Sequence, residues 1–238
     1  MYRIPLKRHS DKPIVQLRTA VVGAADGCGA SFVAGSLALS AAKEGGCTLA
    51  ELGTPYFFNA LNISRRFAEG NFVFYEDELM NRRSLFAVRN MYRNVDLLLR
   101  SPDSSGPLPG ICVCRMPGDN VVFDLSGASD SFLEEVLVEM DRIFIVIDPL
   151  PSKLIPGAER AARLRLLFPD SIFVVNKMNS GVHRSELKRF LGVREYAEIP
   201  FIDPALMYGA EYSCIFPAEI KEVSIHLDPF TQKTQFNI

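Results

Sequence analysis

Short β-branched runs separated by segments of helical spacing set the pattern of this chain. Residues 15–22 (VQLRTAVV) read as a strand, and residues 31–43 place small and apolar side chains at helical spacing and stop at Gly45-Gly46. Residues 48–52 then read as a second strand, which completes a βαβ unit. Further strands are expected at 111–114, 121–125, 143–147 and 172–176, with helices at 131–139 and 157–168 between them. Strands that are apolar on both faces and bounded by helices predict an α/β fold, a doubly wound and mainly parallel sheet with helices on both faces. Residues 1–14 are expected to form an N-terminal arm and 15–238 a single domain, with 72–108 less regular and 101–110 (SPDSSGPLPG) a loop or linker. At the C-terminus Ile220, Val223, Ile225 and Leu227 do not hold a helical stripe, and the alternation from Val223 predicts a short edge strand or a disordered end.

Composition narrows the function classes. The chain is 48% hydrophobic and 23% charged, as a globular protein with a sizeable core would be, and its formal net charge of -2 argues against a strongly cationic nucleic-acid binder. Charge is uneven, however: residues 153–194 carry nine basic and three acidic side chains, and 101–152 carry two basic and nine acidic ones. Arg160, Arg163, Lys188 and Arg189 fall on expected helices there, as a weak DNA-binding surface or as an ordinary solvated face. The longest uncharged stretch, 27–42, is too short and too weakly apolar to span a bilayer, and the basic start of the chain has no apolar run after it. The expected location is cytoplasmic. Cys112 and Cys114 have no second pair or nearby His to complete a zinc site and are expected to be buried thiols.

The segment 21–39, VVGAADGCGASFVAGSLAL, carries the most chemistry. A strand runs into a turn with Gly23, Gly27 and Gly29, then Ala30, Ser31 and a helix, the layout of a phosphate-binding loop. Glycines let the backbone curl until several N–H groups and the positive helix end face one anion. The usual consensus has a Lys directly before the Ser or Thr, and here that position is Ala30. The other reading is a glycine-rich turn that packs tightly and binds nothing.

This segment resembles the loop of MinD/ParA-type P-loop ATPases, whose deviant form K-G-G-x-G-K-[ST] has two lysines. Laid on that pattern, Ala25 replaces the lysine that reaches across the dimer, Asp26 the first glycine, and Ala30 the phosphate lysine. Later segments resemble the family in order. CTLAELG places Glu51 and Gly53 where the family has an Asp-x-Asp pair for water activation and the metal shell, so Glu51 is the candidate catalytic carboxylate. VVFDLSG places Asp124 as the magnesium-holding Asp, with Ser31 as the second candidate metal residue; the other reading of Asp124 is a cap in its own turn. FVVNKMNSG places Asn176 as the adenine-reading amide or as a turn residue after its strand. Asn176 to Asn179 also read as N-K-x-D with the last carboxylate replaced, which favours adenine over guanine because one carbonyl oxygen cannot accept from both guanine edge donors.

The resemblance is nearest to the CpaE/TadZ-like branch, which is found with pilus and secretion machinery. It implies a cofactor-binding loop of Gly23, Gly27, Gly29, Ala30 and Ser31 with Asn176, for ATP with magnesium at an affinity weakened or abolished by the missing lysines. It also implies a homodimer, a further protein partner, and a non-hydrolysing scaffold or localisation factor. The alternative is an active ATPase switch in partitioning, with weak DNA binding and a replacement cation from elsewhere, such as Arg18 or a partner chain.

Overall fold

A computed structural model describes residues 16–235 apart from 68–71, 82–83, 86–87, 89, 105–109, 111–112 and 114–115. Among the described residues eight strands form one sheet in the order β3-β4-β2-β5-β1-β6-β7-β8. They are β1 Leu17–Gly23, β2 Cys47–Glu51, β3 Met91–Tyr92, β4 Val95–Leu98, β5 Asn120–Asp124, β6 Arg142–Ile147, β7 Ile172–Met178 and β8 Ala197–Pro200. Every neighbouring pair is parallel except β3 against β4. The helices are α1 Ala30–Ala42, α2 Phe57–Ala60, α3 Ile63–Arg66, α4 Tyr75–Met80, α5 Asp130–Leu137, α6 Pro151–Leu167, α7 Arg184–Leu191, α8 Pro204–Tyr212 and α9 Lys221–Gln235.

Each face of the sheet is covered by its own apolar layer. Val33 and Leu37 of α1 pack with Val223, Leu227 and Phe230 of α9 on one face, and Leu133, Leu164 and Leu187 of α5, α6 and α7 pack on the other. Close packing explains the uncharged run at 27–42: α1 lies on the sheet beside the C-terminal segment, and a Cβ on its Gly35 would stand 2.8 Å from the Phe216 ring. A charge at most positions of that helix would be desolvated without a partner.

Two expectations from the sequence need correction. The C-terminal segment is helical, because its buried stripe is Val223, Leu227 and Phe230, at intervals of four and three, while Ile225 is 56% exposed and belongs to no stripe. Helix α6 begins at Pro151, before the expected start at 157, since a proline at the first helical position lacks only an N–H that would have no helical partner. The expected strand at 111–114 lies mostly outside the described residues, as do Cys112, Cys114 and the arm at 1–14; Val113 is described and buried.

Candidate functional site

At the C-terminal end of β1 the chain turns through Gly23 to Gly29 into α1. Gly27 and Gly29 hold left-handed backbone, with φ of 71° and 93°, which glycine adopts without the steric cost of a Cβ. No side chain caps α1 and no acidic residue stands in its first turn. Its opening N–H groups and its positive end are therefore available to an outside anion. The loop forms one wall of a cleft of about 490 Å³, whose other wall includes Thr54, Tyr56, Ser126 and Gly127. Among the described residues no basic side chain lines that cleft.

The loop is held from the side of β6 and β7. Asn176 donates through Nδ2 to the Cys28 carbonyl at 3.0 Å and accepts through Oδ1 from the Lys177 N–H at 2.9 Å. A Cβ on Gly29 would overlap that Asn176 amide, so this close approach requires glycine. Lys177 sits at the irregularity of β7 with φ of 61°, and its Nζ reaches the Gly27 carbonyl at 3.0 Å and Asp148 Oδ2 at 2.6 Å. The Asp148 side chain is fully buried, and Lys177 is its cation. Lys153, in the first turn of α6, places its Nζ 3.4 Å from where a Gly27 Cβ would stand.

The carboxylates meet the loop from β2 and β5, which pair in register Glu51↔Asp124. Ser31 Oγ donates to Ser126 Oγ at 3.0 Å, and Ser126 donates through Oγ and N to Asp124 Oδ1 at 2.5 and 3.0 Å. Asp124 is fully buried and its Oδ2 has no hydrogen-bond partner among the described residues. Burial raises its pKa, against the hydrogen bonds from Ser126 and Ser31. That orphaned oxygen beside Ser31 and an anion cradle is a donor set that fits a divalent ion shared with a phosphate. Among the described residues no cluster of three or more His, Cys, Asp or Glu side chains could hold a metal by itself.

Glu51 faces a different task. Its Oε1 accepts from Tyr56 N at 2.6 Å and Phe57 N at 2.9 Å, and its Oε2 from Arg100 N at 3.2 Å. It anchors the start of α2 and is fully buried. Burial first, then the neighbouring Asp124, pushes its pKa up to about 8 against those backbone donors. Gly53, at the position of the second family carboxylate, lies so close to β5 that a Cβ would overlap the Ser126 carbonyl. Its N–H bonds Asp124 O at 3.1 Å, and Thr54 N bonds Ser126 O at 2.6 Å.

The structure thus brings Gly23, Gly27, Gly29, Ala30, Ser31, Asp124 and Asn176 to one edge of the sheet. Two of the site residues are engaged within the protein. Both polar atoms of Asn176 hold the loop and its own strand end, and Glu51 caps backbone instead of facing the cleft. Arg18 is not a replacement cation, since its side chain bonds Gln16 and pairs with Glu139 near the N-terminal end of β1. Sequence reasoning missed Lys153, Lys177, Asp148 and Ser126. The motif N-K-x-N is the sequence signal that marks Lys177. Several basic residues of 153–194 are paired: Arg160 with Asp130, Arg163 with Glu134 and Arg184 with Glu198.

No protein-family model and no curated protein sequence matches the chain. Solved structures do match. The cell division ATPase MinD of Pyrococcus furiosus superposes with a TM-score of 0.71 at 17% identity, over 93% of this chain and 98% of that one. A ParA family ATPase of Chlorobium tepidum gives 0.66 at 16% identity, over 92% and 98%. A putative plasmid partition protein of Borrelia burgdorferi, bound to AMPPNP, gives 0.68 at 14% identity, over 92% and 99%. The fold is that of the MinD/ParA-type P-loop ATPases, a doubly wound α/β sheet with its loop at the end of a central strand. Among the described residues no helix is long and apolar enough to cross a membrane.

Proposed function

We propose that this chain binds a nucleoside triphosphate with magnesium at the loop and does not hydrolyse it, acting as a cytoplasmic scaffold or localisation factor that self-associates and holds a protein partner. One observation carries this reading: the anion cradle of Gly27, Gly29 and the uncapped α1 stands open beside a base position that is closed. Glu51 is tied to three backbone N–H groups and Gly53 is packed against Ser126. Both Glu51 oxygens are occupied by those donors, and burial pushes its pKa up to about 8, which favours the protonated form at neutral pH.

Hydrolysis also needs a cation against the charge that develops on the phosphates, and the loop itself supplies none at Ala30. Ser31 and Asp124 would hold the divalent ion, which would screen the phosphate charge. The AMPPNP seen on the Borrelia partition protein supports nucleotide as the ligand class. Resemblance to the CpaE/TadZ-like branch supports a place with pilus or secretion machinery. The ion pairs on α5, α6 and α7 leave less free positive charge for DNA than the sequence promised, so partitioning is the weaker reading.

Calorimetric titration of nucleotide-stripped protein with MgATP tests the reading. Saturable binding is expected, tightened by Ala30→Lys by ~10- to 100-fold, the worth of one charge-assisted contact. Absence of heat and of any thermal shift at saturating MgATP would contradict it. Light scattering on the same samples tests self-association, which a monomer with and without MgATP would rule out.

A further inference from the structure

We propose that Lys153 supplies, from the first turn of α6, the phosphate-binding cation that Ala30 lacks, reaching the cradle over Gly27. This rests on reading the loop as a polyphosphate cradle. Two ammonium groups touch the loop, and they are not equivalent. Lys177 is neutralised by the buried Asp148 and bonded to the Gly27 carbonyl, so its charge is already answered inside the protein. The Lys153 ammonium has no hydrogen bond or ion pair among the described residues, and its Nζ stands 3.4 Å from where a Gly27 Cβ would be.

Its position in the helix is the second reason. The first turn of α6 contains this lysine and no acidic residue. A cation at the positive end of a helix is disfavoured by the aligned peptide dipoles. An anion at Gly27 would reverse the sign of that interaction. Gly27 is exposed and has no side chain, so the flexible four-carbon stem of a lysine can carry the ammonium across it without displacing anything.

The third reason is independent of both lysines. Asp124 Oδ2 is buried without a partner beside the Ser31–Ser126 hydroxyl pair at the mouth of the loop. An unpaired buried carboxylate oxygen is costly unless a cation satisfies it. A divalent ion arriving with a polyphosphate would do so, and the phosphate charge left over would face Gly27 and Lys153. The ligand class this selects is a nucleoside triphosphate carrying a divalent ion, held by backbone N–H groups and a cation from outside the loop.

Calorimetric titration with MgATP of four proteins tests the proposal: wild type, Lys153→Ala, Lys153→Arg, and Lys153→Ala combined with Ala30→Lys. The thermal midpoints of wild type, Lys153→Ala and Lys153→Arg without ligand should lie close together, since the Lys153 ammonium makes no hydrogen bond or ion pair among the described residues. Lys153→Ala is expected to weaken binding by ~10-fold or more. Lys153→Arg should stay near wild type, and adding Ala30→Lys should restore the lost affinity by moving the cation into the loop. Equal binding by wild type and Lys153→Ala would overturn the proposal and leave the cradle reading standing. No binding by wild type or by the Ala30→Lys combination would overturn both.

Discussion

Lys177 pays on the order of 1 kcal/mol for its left-handed backbone, as a residue with a Cβ does at positive φ. The conformation sends the side chain under the loop, where the Asp148 carboxylate would otherwise be a buried and unpaired charge. Lys177→Ala keeps the strain and loses the pairing, so a loss of about 2 kcal/mol is expected, discounted because the ammonium is partly exposed. Lys177→Gly relieves the strain and should recover about 1 kcal/mol of it. Urea denaturation of both variants checks this, and equal midpoints would show that φ carries no cost. Glu51 makes a second residue-scale prediction. Its folded pKa of about 8 lies above the ordinary 4.5, so between those values the folded state binds a proton that the unfolded state has released. Stability contributed by this group is present below about 4.5 and is lost as the pH rises toward about 8. Denaturation across that range should show a fall in wild type, about 1 kcal/mol per pH unit within the window, that Glu51→Gln flattens. The same fall in both proteins would place the proton elsewhere. The common placement of Gly27, Gly29, Ser31 and Asp124 was legible in the sequence because it depends on local backbone and on strand ends. The partners of Asn176 and Lys177 were not, because those side chains meet the loop only when β7 is placed in the sheet.

Strands β1, β2, β5, β6 and β7 were legible from their apolar runs. Strand β4 was missed because Asp96 interrupts Val95–Leu98, and in the fold that aspartate is buried and accepts from Asn90 N at 3.0 Å. Helix α9 was missed for the opposite reason: Ile225 is apolar and exposed, so counting it erased the true stripe. The cover that α9 provides is therefore a testable claim about an element. Leu227→Ala should cost about 3 kcal/mol, as truncation of a buried leucine does, and Ile225→Ala should stay within about 0.5 kcal/mol. Equilibrium denaturation with a common slope separates them, and similar losses at both positions would mean that α9 packs by another face.

At the scale of the whole molecule, the sheet order puts β1 between β5 and β6, so the loop, the Asp124 turn and the start of α6 open on one edge, where ligands of open α/β sheets bind. Fold class could be read from the alternation of strands and helices, whereas the closure of the base position could not. That closure comes from β2 and β5 running side by side until Gly53 meets Ser126, a contact between segments about seventy residues apart in the chain. The same edge holds an open cradle and a carboxylate tied to backbone, which is the basis of the proposal that the chain binds nucleotide without turnover. Phosphate release from saturating MgATP, followed on wild type and on Asp124→Ala, tests that claim most directly. No release above background is expected from either protein. A steady wild-type rate that Asp124→Ala abolishes would contradict it and make the chain an active ATPase.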